Sequence, residues 1–193
     1  MQDIILASSS PHRRAILDKI HLTYHSISPK IDEKRQGTET AEQLVLRLCL
    51  AKAQKVASQN PNSLVIGADQ VALLGDIMLG KPLNTQRAEQ QLTDCSGKKV
   101  SFYNGVCLYD SSDLSYQLEC VIFNVYFRVL SSAEIKSYIA LEKPLDCAGS
   151  FKAEGLGISL FEKLEGDDFN ALIGLPVIRL LAMLREKGVS PLL

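Results

Sequence analysis

The sequence has 193 residues, 46% of them hydrophobic, and its 21 Lys and Arg against 22 Asp and Glu leave a net charge of −1. This excludes a disordered chain and fits one domain of ordinary size, or two small lobes sharing a core. Overall charge gives no long-range attraction to a nucleic-acid polymer or an anionic membrane, so any anion site must be local.

The first residues show no basic segment leading a long apolar stretch to a small-residue cleavage site. No run approaches the ~18 apolar residues of a membrane span, and a cytoplasmic location is expected. Cys49, Cys95, Cys107, Cys120 and Cys147 are scattered with no CxxC pair. That pattern argues against a disulfide framework or a zinc site and for small buried apolar residues.

Residues 2–7 read as a buried strand, 11–20 as a helix and 22–28 as a second strand, each bounded by turn-formers. A long helix is predicted over 40–58, where Val45, Leu48, Cys49, Lys52 and Val56 recur at three- and four-residue spacing. A lysine therefore sits on its apolar face. LVIGADQVALL at 64–74 has strand character. GKPLNTQRAEQQLTDCSG then breaks into a helix that Asn84 or Thr85 can cap and Gly97 can end.

Two long strands, about 99–109 and 117–129, are joined by the polar DSSDLS. In the second, Val121, Phe123, Val125, Phe127 and Val129 alternate with Ile122, Asn124, Tyr126 and Arg128, giving one strongly apolar face. SSAEIKSYIAL carries a capping box, Ser131 with Glu134, ahead of Ile135, Tyr138 and Ile139. LPVIRLLAMLREKG has proline near its first turn and Gly188 past its last, the usual asymmetry of helix ends. The class is α/β with a mixed sheet.

The junction SSSPHRR, residues 8–14, has a physical reading. A strand that delivers hydroxyls and arginines to a helix N-terminus makes an anion site from free N–H groups, the helix dipole and guanidinium forks. Ser10 before Pro11 also reads as a plain N-cap, with Arg13 and Arg14 solvated.

Five further groups suit neither surface nor core. They are Asp32-Glu33 after a Pro-Lys-Ile turn, Lys52 on the apolar helix face, Asp69-Gln70 inside an apolar strand, Lys81 in GKP, and Lys152-Ala153-Glu154. A buried unpaired charge costs several kcal/mol, so Asp69 between VIGA and VALL requires a partner or a ligand. Asp69 and Lys52 also read as a structural ion pair, Asp32 and Glu33 as a solvated loop, and Lys81 and Lys152 as surface lysines. Strict alternation sends Asp69 and Gln70 to opposite faces, so both serve one site only if the strand ends or bulges there.

Taken in order, these motifs resemble the Maf family of nucleoside triphosphate pyrophosphatases, which release diphosphate and leave a nucleoside monophosphate. The resemblance runs almost end to end, as a single Maf-like domain over residues 1–193. It rests on ILASSSPHRR, PKIDE, Leu50-Ala51-Lys52-Ala53, IGADQ, GKP, CAGSFKAEG and the closing NALIGLP. Asp69-Gln70 and Glu154 are similar to the branch acting on 7-methyl-GTP. The dTTP and UTP branch has Thr and Gln at the positions of Gln70 and Glu154. His12 departs, since the first branch has Trp there and the second Arg.

The resemblance implies an ITPase-like elongated mixed sheet flanked by helices, with two lobes around a central cleft, and a homodimer. It implies that Ser8 and Arg13 hold phosphate oxygens, helped by Arg14, and that His12, Gln70 and Glu154 also contact substrate. Lys52 and Lys81 would neutralise the triphosphate, and Glu33, with Asp69, would hold a divalent cation, Mg²⁺, Mn²⁺ or Co²⁺. Asp69 would take the proton of the attacking water. Two other readings are a dTTP, UTP or other modified-nucleotide pyrophosphatase and a non-catalytic protein acting in septum arrest.

Overall fold

The computed structural model describes residues 2–192. Its strands are β1 (Asp3–Ala7), β2 (His25–Ser26), β3 (Ser63–Leu74), β4 (Ile77–Leu79), β5 (Lys99–Asp110), β6 (Tyr116–Phe127) and β7 (Phe161–Glu165). Its helices are α1 (Pro11–Lys19), α2 (Ala41–Ala57), α3 (Thr85–Cys95), α4 (Ser132–Glu142), α5 (Phe169–Ile173) and α6 (Val177–Glu186). The strands hydrogen-bond in the order β2-β1-β3-β5-β6-β7, with β4 on β3. Parallel β1/β2 and β1/β3 pairs and antiparallel β3/β4 and β6/β7 pairs make the sheet mixed, as expected from the sequence.

The chain forms two compact units. One contains the residues up to Gln70, Asn104–Val121 and those from Asp168 onward, and the other contains Val71–Tyr103 and Ile122–Asp167. Among the described residues no helix is long and apolar enough to cross a membrane, and the five cysteines are free.

In the first unit the sheet is buried on both faces, which is why β1 and β3 are continuous apolar runs rather than alternating ones. Leu6, Leu64, Ile66, Ala68, Val106 and Leu108 pack with Ile16 and Leu17 of α1 and with Val177, Leu180, Met183 and Leu184 of α6. On the other face Ile5, Ala7, Val65, Cys107 and Tyr109 meet Cys49, Ala53, Val56 and Ala57 of α2. Gly67 sets how close α2 comes. A Cβ there would lie 2.0 Å from the Cys49 carbonyl oxygen and 3.0 Å from the Ala53 Cβ. Only glycine admits this approach.

The helix ends follow the sequence signals. Ser10 caps α1, its side chain accepting from the Arg13 N–H, with proline in the first turn. Thr40 and Gln43 form a capping box on α2 that the sequence reading had not picked out. The strand expected over 22–28 shrinks to His25–Ser26 because residues 20–22 are used to end α1. His21 adopts φ 56°, its N–H donates to the Asp18 carbonyl, and the Leu22 N–H donates to the Leu17 carbonyl. This is a Schellman closure.

In the second unit β3 turns through Gly75 into β4, and β7 pairs with β6 across Asn124–Glu165 and Val125–Leu164. Phe102, Phe127, Phe151 and Phe161 form an edge-to-face cluster with centroids 4.9–5.6 Å apart. The Ser131/Glu134 capping box starts α4 as expected. β6 stops at Phe127 rather than 129, because the Arg128 N–H turns to the Leu160 carbonyl and the Leu130 N–H to the Ser96 hydroxyl. Val129 is left exposed.

Candidate active site

β1 ends where the chain turns into α1, and the turn fixes Ser8. Its hydroxyl accepts from the Ser10 N–H at 3.1 Å and from Arg13 Nη1 at 3.3 Å, while its carbonyl accepts from the Ser26 hydroxyl at 2.7 Å. Arg13 Nε donates to the Gly174 carbonyl at 2.9 Å. The guanidinium is thereby tied to both the β1 end and the segment between α5 and α6.

Lys52 and Asp69 meet for a geometric reason. Gly67 lies under Cys49 and Ala53, and Asp69, two residues further along β3, is reached by Lys52 from that same stretch of α2. Lys52 Nζ donates to Asp69 Oδ1 at 2.6 Å and pairs with Glu33 Oε1 at 2.9 Å. The Lys52 and Asp69 side chains are 6% and 10% exposed, whereas Glu33 is 58% exposed. Burial pushes the Asp69 carboxyl above the ordinary aspartate value, the Lys52 ammonium and Arg13 hold it back, and Glu33 pushes it up. Burial likewise lowers the Arg13 guanidinium, against the pull of Asp69 and Glu33. Two cations and two carboxylates thus form one electrostatic cluster.

The loop bearing Glu33 is anchored by residues the sequence reading did not single out. Glu39 accepts from the Gln36 N–H at 2.8 Å and from Arg47 Nη2 at 2.9 Å, and Arg47 Nη2 also reaches the Lys34 carbonyl at 3.0 Å. Arg47 holds the Glu39 carboxyl down to about 2. Glu39 and Arg47 are eight residues apart on a loop and a helix, a spacing that no periodic pattern marks. Asp32 instead closes a turn, accepting from the Lys34 N–H at 3.0 Å.

β3 continues past Asp69, and Gln70 finds its partners on α5 rather than on α2. Its Nε2 donates to Asn104 Oδ1 at 2.9 Å and to the Ala171 and Leu172 carbonyls at 3.0 Å each. His12 is half-buried and Arg14 exposed on α1.

Lys81, Lys152 and Glu154 belong to the second unit. Lys81 is exposed between β4 and α3. The Lys152 N–H donates to the Tyr138 hydroxyl at 3.0 Å and its ammonium to the Glu142 carbonyl at 2.8 Å. Glu142 Oε1 accepts from the Leu156 N–H at 2.9 Å, which fixes the backbone just beyond the exposed Glu154.

Chemically, the first-unit cluster offers a half-buried guanidinium and a buried ammonium for anionic oxygens, and a carboxylate shifted toward the range where it can accept a proton. Glu33 and Asp69 converge on one ammonium with hard oxygen donors, a donor set that fits a divalent cation of the Mg²⁺ or Mn²⁺ type.

Comparison with known proteins gives the family. A protein of Pseudomonas aeruginosa named 7-methyl-GTP pyrophosphatase is 53% identical over 190 residues, covering 98% of this chain and 99% of that one. The structure of the Staphylococcus aureus Ham1 protein superposes with a TM-score of 0.45 at 17% identity, over 65% of this chain and 72% of that one. The family described as Maf-like protein matches residues 3–187, from the first strand through the last helix and across every motif discussed above, and the chain belongs to that family.

Proposed function

We propose that this chain hydrolyses nucleoside triphosphates between the α- and β-phosphorus, releasing diphosphate and a nucleoside monophosphate, and that 7-methyl-GTP is its preferred substrate. The observation that carries the reading is the Lys52–Asp69 pair, 2.6 Å apart inside an otherwise apolar strand–helix contact. The 53% identity to the Pseudomonas aeruginosa protein supports the choice of substrate.

In this mechanism Asp69 takes a proton from water as the water oxygen forms its bond to the α-phosphorus. The bridging α–β bond breaks, and diphosphate leaves with the electron pair. Ser8 and Arg13 orient phosphate oxygens, and Lys52 and Lys81 offset the charge that builds on the leaving group. Glu33 and Asp69 would hold a divalent cation, Mg²⁺, Mn²⁺ or Co²⁺, and its charge would lower the cost of bringing the triphosphate to these carboxylates. Glu154 accepts the adjacent N1–H and amine protons of guanine, and its negative charge favours the cationic methylated ring. His12 lies beside the phosphate-binding turn and approaches the nucleoside from α1.

The same reading includes action as one Maf-like domain, pairing into a homodimer, and a place in the cytoplasm. The deciding experiment is diphosphate release by purified protein across canonical and modified triphosphates with each of the three metals. Release from 7-methyl-GTP at a kcat/KM at least tenfold above UTP and dTTP is the expected result. Preference for a pyrimidine triphosphate would overturn the base assignment. Release from none of them would leave a binding protein.

A further inference from the structure

Gln70 holds a stretch of backbone. The two hydrogens of its Nε2 serve three acceptors, so one is shared. Two of these are the Ala171 and Leu172 carbonyls at the end of α5, of which the Ala171 carbonyl also accepts from the Gly174 N–H. The third, Asn104 Oδ1, belongs to a fully buried asparagine whose own amide donates to the Val121 carbonyl at 3.3 Å. Gln70 thus stitches β3 and β5 to the last turn of α5.

That turn ends in Gly174, at φ 120°, a conformation open to glycine and closed to L-residues. Its N–H closes back on the Asn170 and Ala171 carbonyls, and its own carbonyl accepts from Arg13 Nε at 2.9 Å. A side chain at Gly174 would lie 3.7 Å from Arg13 Nε and 3.9 Å from Gln70 Oε1, so all three groups meet around this glycine.

We infer that Gln70 is a positioning residue for the triphosphate: through the α5 carbonyls and Gly174 it fixes the Arg13 guanidinium against Ser8. The inference rests on the pyrophosphatase reading and gives Gln70 a role independent of the base. It follows that a change at Gln70 alters the handling of every triphosphate by the same factor. A residue that reads the base would alter their ratio.

The test uses Gln70→Met, which keeps the length and removes the donor, and Gly174→Ala, which leaves Gln70 in place and displaces the carbonyl. The probe for the phosphate site alone is inorganic triphosphate, which has no base. Each variant is expected to weaken its binding by about 10–150-fold, the scale of a lost hydrogen bond to a charged group. Each should also lower kcat/KM for 7-methyl-GTP and UTP by one common factor. In an Arg13→Met background, Gln70→Met should change triphosphate binding by less than about twofold, because a relay through Arg13 has nothing left to position.

Triphosphate binding unchanged in Gln70→Met, a tenfold change in the 7-methyl-GTP to UTP ratio, or full additivity with Arg13→Met would overturn the relay. If Gln70→Met fails to fold, Gly174→Ala with the Arg13→Met background decides on the same criteria. Failure of the wild type to hydrolyse any nucleotide would sink the proposed activity instead, while triphosphate binding would still report on the relay.

Discussion

Replacing Lys52 by Met keeps the aliphatic stem and removes the ammonium that Asp69 and Glu33 share. Breaking a buried pair from one side costs about 3–5 kcal/mol, because the other charge stays buried without compensation. Two features reduce the figure here. Arg13 continues to attract the Asp69 carboxylate, and Glu33, 58% exposed, returns to water at little cost. We expect the low end, about 3 kcal/mol near pH 8, which for a chain of this length lowers Tm by roughly 6–12 °C. The sign with pH follows from Asp69. Its carboxyl is already raised by burial and held back by Lys52, so without Lys52 it rises further. The unfolded value is the same in both proteins. The deficit relative to wild type is therefore full above the variant's raised value and shrinks as pH falls from that value to the wild type's. The chain has no tryptophan, so urea unfolding is followed by circular dichroism at pH 8, 6.5 and 5. A variant as stable as wild type at pH 8, or a deficit that does not vary with pH, would show that Lys52 only snorkels to water.

Asp69→Asn should stay folded and lose ~10²–10⁴-fold in kcat, and a folded variant that loses less than about fivefold would rule out Asp69 as the base. Glu154→Gln should lower kcat/KM for 7-methyl-GTP by about 10–100-fold while UTP and dTTP turnover holds or rises. Equal loss on all three would mean that Glu154 supports the machinery without reading the base. Gly67→Ala should force α2 away from β3, since its Cβ would lie 2.0 Å from the Cys49 carbonyl oxygen. An overpacking cost of about 1–3 kcal/mol in thermal unfolding is expected, whereas Gly80→Ala, with no atom within 4 Å, should stay within about 0.5 kcal/mol of wild type.

The long elements were legible because local chemistry and tertiary context agree in them. Continuous apolar runs gave β1 and β3, and cap residues placed the starts of α1, α3 and α4. β4, β7 and α5 were not foreseen, being three to five residues long and too short for a period to register. In the candidate site, Lys52 and Asp69 stood out as charges in apolar settings, and the pairing between them is what the structure adds. Asp69 and Gln70 find their partners on different elements, Asp69 on Lys52 of α2 and Gln70 on the α5 carbonyls, as strict alternation requires. Gln70's partners at Ala171 and Leu172, and Arg13's at Gly174, lie more than 100 residues away in sequence, and no pattern reads such a distance.

Stability does not explain the charged pair between α2 and β3. A buried ion pair loses in desolvation about what it gains in attraction, and apolar replacements of the same volume are commonly neutral or stabilising. The surroundings of Lys52 and Asp69 would accept such replacements, since Cys49, Ala53, Val56, Val65 and Cys107 already pack this face. Around the pair, moreover, the fold fixes charge with some care. Arg47 and Glu39 tie the Glu33 loop to α2, and Gln70 and Gly174 secure Arg13 from the other face of the sheet. Anchors on both faces hold separate charges beside a carboxylate that burial has shifted upward. Such an arrangement does little for the core, and it is suited to taking a proton from water while cations hold an anionic substrate.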